Sequence, residues 1–450
     1  MTTQLLPPKR KHSRSLLGDL QDFQERALEM LLDVAHNYGP VTRIRLGPVT
    51  QYVITEAEGA NHVLQQNNRN YTKQPDFMDI ARLVLLSGDD LFTSDGDPWL
   101  HRRRLMQPVF HRKIVNGFRD IIVAESARML DGWQNGQSLD METAMMDVTM
   151  SIIGRSMLNQ NILDDHPQLY HAFSEVSGYV VDKATMMSLR FTPMWAPTAR
   201  NRSFKEALSV IRQTLSAAVR QRQQLPPEDQ PHDLLTLMLA GHDEESGFTL
   251  STEQLIDELF GIVTAGHETS AVTLSWLFYE IARHPEIEAK LVTELDRVLA
   301  GRTPTIEDMA ALPYLQQCID ETLRRYPAAY ITTRQSVGAD EIAGFPIPGN
   351  AILLINIYGI HHHQAYWQQP DRFDPERWSR DPINRLAFLP FGAGPRKCIG
   401  EPLARLEMGL IAACVLQQFY FRLADRPSHL VTRFTLRAKD GVWLVAERRK

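Results

Sequence analysis

The sequence predicts a mainly helical protein with a small β subdomain, and three observations predict it. Apolar residues recur at helical spacing through most of the first 340 positions. One such run, from Ser251 to His284, would form a helix about 50 Å long, a spine that only a large helical body needs. Gly- and Pro-punctuated stretches with strand-like alternation or short apolar runs lie near residues 41–54 and again beyond Pro327. The composition agrees with a packed globule: 450 residues, 43% hydrophobic and 23% charged, with 25 Gly and 26 Pro, exclude disorder and collagen-like repeats. With 48 Lys and Arg against 54 Asp and Glu, the chain lacks the basic excess that drives counterion release from nucleic acids, so no nucleic-acid partner is expected.

In chain order, residues 1–20 are basic and Pro-containing, and are expected to form a flexible segment ahead of one domain spanning 21–450. No apolar stretch of the signal-peptide kind follows them, which together with the cysteine content points to a cytoplasmic location. Residues 41–54 alternate apolar and polar on both sides of Gly47-Pro48, the pattern of a half-buried hairpin. The polar, Pro-rich Gln221–Gln230 reads as a linker between a helix ending near Arg220 and one beginning near Asp233. Ser251 with Gln254 forms a capping-box signature, and His284-Pro285 ends the long helix that it opens. The most apolar stretch of that helix, Leu259–Phe278, carries His267 and Glu268 at its centre, so it is read as buried in protein and not in a bilayer. Ile342–Ile357 reads as strand, turn and buried strand, and a further helix begins near Glu401-Pro402.

Of the three cysteines, Cys318 and Cys414 lie in amphipathic helical runs and read as small core hydrophobes. Cys398 sits instead in Phe391-Gly-Ala-Gly-Pro-Arg-Lys-Cys-Ile-Gly400. Its glycines permit tight backbone geometry, while Arg396, Lys397 and the following helix N-terminus favour thiolate over thiol. That chemistry suits a nucleophile, a redox sensor or a metal ligand, and the loop by itself does not choose among them.

The spacing of Phe391, Gly394, Arg396, Cys398, Gly400 and Ala404 resembles the haem-binding signature of the cytochrome P-450 family. The resemblance implies that family's fold, with haem b between the long helix and the cysteine loop and the Cys398 thiolate as axial iron ligand. Further motifs resemble the same family in its order. Glu321 and Arg324 of ETLR, with Arg377 of FDPERW, match its buried structural triad. Trp99 and Arg103, at i and i+4, match positions that contact haem propionates, as do Arg334 and Arg396. Ala265 and Gly266 match the distal haem wall, where the family's helix is locally distorted, and Glu268 and Thr269 match the acid and alcohol that deliver protons to bound oxygen.

The acid–alcohol pair implies a monooxygenase acting on a hydrophobic terpenoid, steroid or fatty acid. The alternatives are a peroxide-driven peroxygenase and a non-catalytic haem sensor. Position in the family assigns substrate contacts to Phe77, Ile80, Leu83 and Leu86, and to Phe173, Val176, Tyr179, Val180, Met186 and Met187. Val263, Ala329, Tyr330 and Phe434 complete the set. The chain shows no flavin or nicotinamide glycine fingerprint, so electrons from NAD(P)H are expected through a separate ferredoxin or flavodoxin and its reductase. Arg102, Arg104, Arg112 and Lys113 are expected as a partly exposed docking patch, on a monomer without a transmembrane anchor.

Overall fold

A computed structural model describes residues 6–11, 17–73, 90–165, 168–185 and 192–449. The chain divides into two compact units, each assembled from separated stretches: 1–76 with 320–398, and 77–319 with 399–450. The single domain expected over 21–450 therefore has internal structure that motif order did not suggest.

The first unit is built on a five-stranded sheet. In hydrogen-bonded order its strands are Val41–Leu46, Val49–Ile54, Ile352–Ile355, Thr332–Ser336 and Tyr71–Thr72. The first two form the hairpin predicted from alternation, in register from Val41 opposite Ile54 to Leu46 opposite Val49. Val49–Ile54 then pairs in parallel with Ile352–Ile355, the continuous apolar run expected of a buried strand. Below the sheet, Ile54, Val63, Leu353, Ile355 and Trp367 pack into one apolar cluster. Among the described residues before 20, Arg10 is held against this unit. Arg10 pairs with Asp19, Asp22 and Asp33 at 2.8–2.9 Å, and its amide donates to Arg43 O at 3.0 Å. Three carboxylates thus converge on one guanidinium, within the segment 1–20 expected to be flexible.

The second unit is helical around Thr252–Arg283, a 32-residue helix. Its capping box is formed as predicted: Gln254 N donates to Ser251 Oγ at 3.2 Å and Ser251 N to Gln254 Oε1 at 2.9 Å. The helix packs against Met141–Leu158 and Glu401–Gln418. A three-stranded antiparallel sheet, Gln137–Asp140, Trp443–Arg448, Phe419–Leu423, and a hairpin, Leu430–Thr432 with Leu436–Ala438, complete the unit. The helix expected to end near Arg220 continues to Gln224, since Arg222 is buried and forms a two-pronged ion pair with Asp233 at 2.5 and 2.6 Å. Among the described residues no helix is long and apolar enough to cross a membrane.

Candidate functional site

In the first unit, the loop around Cys398 is shaped by glycine. Gly392 and Gly394 have φ of +69° and +72°, which side chains with a Cβ rarely adopt. A Cβ on Gly394 would collide with the Leu64 carbonyl, so only glycine lets the loop lie against the His62–Gln66 turn. Lys397 N donates to Gly394 O at 3.0 Å and Cys398 N to Phe391 O at 2.9 Å, closing the loop on itself. Phe391 and Arg396 are half-buried, and Cys398 is exposed. The other two cysteines are buried, and burial pushes the Cys414 thiol up to about 12, out of thiolate range. Only Cys398 has the accessibility and cationic neighbours that a thiolate needs.

Behind this loop lies the expected triad. Arg324 grips Glu321 with two bonds of 2.9 and 2.8 Å, and Arg377 Nε donates to the same carboxylate at 3.1 Å, all three buried. Trp378 Nε1 adds a fourth donor at 3.2 Å, and Arg324 also donates to the carbonyls of His361 and Pro370 at 2.8 Å each. Sequence reasoning missed His361. Its Nδ1 sits 3.0 Å from Arg324 O, and its Nε2 accepts the Leu389 amide at 2.8 Å, two residues before Phe391. Burial, reinforced by the Arg324 charge, pushes its pKa down to about 3, so the ring is neutral and can donate from one nitrogen while accepting on the other. The only signal was the His361-His-His363 run, in which nothing distinguishes one ring from the next.

Arg334, also in this unit, is buried on its strand, with Nη1 donating to Thr333 O at 2.7 Å. Ala329 is exposed, whereas half-buried Tyr330 packs with the cluster around Met30 and Leu31.

In the second unit, Trp99 and Arg103 are both half-buried on the helix Gly96–Met106, which Asp95 caps. Arg102 corrects the expected docking patch. It faces inward, its Nε 2.9 Å from Glu258 Oε1, and Leu91 N donates to the other oxygen of that carboxylate at 3.0 Å. Burial and then Asp90 push Glu258 up to about 8. Arg104 pairs with Glu245 at 2.7 Å, which leaves Arg112 and Lys113 exposed.

The long helix remains helical through Ala265–Thr269, without the distortion that resemblance implied. The Thr264 and Thr269 hydroxyls bond back inside the helix, to Phe260 O and Ala265 O, each at 2.9 Å, without breaking it. One face is nevertheless uncovered: Ala265 is exposed and Thr269, four residues on, is half-buried, beside buried Val263, His267, Glu268 and Ser270. On Gly266 a Cβ would stand 3.1 Å from Ile153. Glu268 points elsewhere, accepting the Thr435 hydroxyl at 2.5 Å inside the protein. His267 is buried with Nδ1 2.7 Å from Val263 O, and desolvation lowers its pKa.

The substrate candidates separate. Phe173, Val176, Tyr179 and Val180 are buried in helix packing; Phe173 lies 5.4 Å from Phe260, and Tyr179 stacks on Phe204 at 4.3 Å and donates to Asn201 at 2.6 Å. They lie on the core face of a helix, a placement that any amphipathic helix would give residues at this spacing. Val263 is likewise buried. Phe434 is half-buried and meets Phe92 edge-on at 6.4 Å. Phe77, Ile80, Leu83, Leu86, Met186 and Met187 lie outside the described residues. Gly400 caps the helix Glu401–Gln418, and half-buried Ala404 donates its amide back to Gly400 O at 2.9 Å.

An exposed thiol on a glycine-shaped loop, and an uncovered small-residue face inside a buried helix, both fit a haem: the first offers an iron ligand, the second leaves clearance for a flat ring. Comparison with known proteins agrees. The family profile described as Cytochrome P-450 matches residues 7–443. The chain is 32% identical over 412 residues to cyclooctat-9-en-7-ol 5-monooxygenase of Streptomyces melanosporofaciens, covering 90% of this chain and 88% of that protein. It is 31% identical over 408 residues to pentalenene oxygenase of Streptomyces avermitilis, covering 90% and 89%. A crystal structure of the cytochrome P-450DA haem domain superposes with a TM-score of 0.90 at 22% identity, over 99% of this chain and 98% of that one.

Proposed function

The chain belongs to the cytochrome P-450 family, and on that premise we propose that Cys398 supplies the thiolate ligand of its haem iron. As a family member it is a haem-thiolate monooxygenase that uses dioxygen, depends on redox partners and oxygenates hydrophobic small molecules. The observation that carries the ligand assignment is the exposed Cys398 on a loop that only glycine at 394 allows.

Haem, when bound, supplies the iron at which oxygen is reduced and a C–H bond or double bond oxidised. The protein's part is to bind, orient and protonate. Trp99, Arg103, Arg334 and Arg396 are assigned to the propionates, where an indole N–H and planar guanidinium forks match carboxylate geometry. Gly394, Gly400 and Ala404 keep side-chain bulk small along the segment that carries Cys398, and Phe391 holds the Cys398 amide through its carbonyl. Ala265 and Gly266 are assigned to the wall that borders the haem ring, and Thr269 holds a proton on Oγ1 that it now donates to Ala265 O. Glu268 is the acid of the pair; it must leave Thr435 before it can serve Thr269. Glu321, Arg324 and Arg377 act structurally, through the chain that they brace.

Finer assignments follow the same reading. We propose haem b, electrons from NAD(P)H through a ferredoxin or flavodoxin with its reductase, docking at exposed Arg112 and Lys113, and a monomer working in the cytoplasm. The substrate class is proposed as terpenoid, supported by the cyclic hydrocarbon skeletons in the names of the two Streptomyces relatives. The test is the absorption spectrum of the reduced, CO-bound protein. Wild type should show the red-shifted Soret band of thiolate ligation and Cys398→His should lose it; an unchanged band in the variant refutes the ligand. Titration with pentalenene, a steroid and a fatty acid, read as a spin-state shift, then separates the substrate classes, and a shift with the fatty acid alone overturns the terpenoid reading.

A further inference from the structure

The hairpin Leu430–Thr432/Leu436–Ala438 is fastened to the helices of its unit by consecutive residues. Trp276 Nε1 donates to Leu436 O at 3.1 Å. Arg437 Nε and Ala438 N donate to the two oxygens of Glu142 at 2.7 and 3.1 Å. Thr435 Oγ1 donates to Glu268 Oε1 at 2.5 Å, with Thr435 2% and Glu268 5% exposed. Residues 433–435 form the loop between the strands, closed by Arg433 N donating to Thr435 O at 3.0 Å. At its apex Phe434 is half-buried against Phe92, itself 45% exposed. An apolar loop tip open to a ligand is therefore one peptide bond from the hydroxyl that holds Glu268.

We propose that Thr435 is a positioning residue that parks the Glu268 carboxylate away from Thr269, and that a hydrophobic substrate pressing on Phe434 releases it. This rests on the reading of Glu268 as the acid of proton delivery. A charge-assisted bond of this length is among the stronger hydrogen bonds, so the parked acid is withheld until the bond breaks. The loop is short and its far side is pinned at Leu436 and Arg437, so displacement of Phe434 falls on Thr435 and not on the strands. Thr269 is parked in the same manner, its hydroxyl returned to Ala265 O, so neither member of the pair faces the other in this state. Proton delivery is then coupled to occupancy, and an empty site is spared reduction of oxygen to peroxide.

The test uses the haem-loaded, full-length protein in two measurements. In infrared spectra, the Glu268 carboxyl band is identified by its loss in Glu268→Gln. It should shift in Thr435→Val, return to its wild-type place in Thr435→Ser, and shift in Phe434→Ala only where Thr435 is present. With substrate withheld, Thr435→Val should raise the rate at which electrons are lost as hydrogen peroxide about tenfold over wild type, the order of population shift expected when one hydrogen bond of this kind is removed. An unmoved band and unchanged peroxide in Thr435→Val, with Glu268→Gln still uncoupled, overturn the parking role alone. If Glu268→Gln alters neither peroxide release nor the solvent isotope effect on turnover, the proton-delivery reading fails instead.

Discussion

Glu407 lies inside the second unit on the helix Glu401–Gln418, 4% exposed, and its pKa is pushed up to about 8 by burial, opposed only by a hydrogen bond with Ser270. An unfolded Glu titrates near 4.3, so the folded state holds a proton that the unfolded chain has already lost at neutral pH. The stability this proton confers is complete below about pH 4 and is lost as pH rises through about 8. Unfolding midpoints measured from pH 5 to pH 9 should therefore fall, and Glu407→Gln should flatten that slope; an equal slope in both proteins would remove Glu407 as its cause. Residue chemistry of this kind was only partly legible. Cys398 stood out because its glycines and cations are neighbours in sequence. The partner of Glu268 did not, because Thr435 is 167 positions away and no pattern in an apolar helix says where a carboxylate turns. Tyr179 shows a related limit: a buried aromatic packed in a helix interface and one lining a cavity have the same spacing.

The cysteine loop depends on elements that never touch its sulfur. Arg324 and Arg377 converge on Glu321, Arg324 O and Leu389 N are bridged by the neutral His361 ring, and Leu389 O in turn accepts the Gly392 amide at 3.0 Å. Removing the shared carboxylate strands two buried guanidinium groups, a loss of about 3–5 kcal/mol. Glu321→Ala should lower the denaturation midpoint accordingly and speed amide exchange across 386–398. Retained protection there would show that the loop is braced by something else. Local rules served well for elements whose signals are local. The capping box of the long helix and the 41–54 hairpin form where the residues indicate, since each is decided by side chains within a few positions. The unbroken helix at Ala265–Thr269 was not foreseen: no residue within a few positions decides whether a long buried helix stays closed.

At the scale of the whole molecule, the order of motifs was readable and the division of the chain was not. The boundaries near 76, 319 and 398 fall at no shift in composition, because each unit is completed by strands and helices from a distant stretch. Trp443–Arg448, for instance, is the middle strand of its sheet, paired with Phe419–Leu423 on one side and Gln137–Asp140 on the other. A chain truncated after Asp440 leaves both neighbours unpaired, and should appear as aggregated, poorly helical protein by circular dichroism, whereas a native spectrum would show that strand to be dispensable. The parallel pairing of Gln51 with Ile352 has a consequence for biosynthesis. At about 5–20 residues per second, the 41–54 hairpin leaves the ribosome roughly 15–60 s before its partner strand exists. Throughout that interval an apolar β edge is open to other nascent chains, so yield in the cell is governed by translation speed and chaperone supply as well as by the stability of the finished fold.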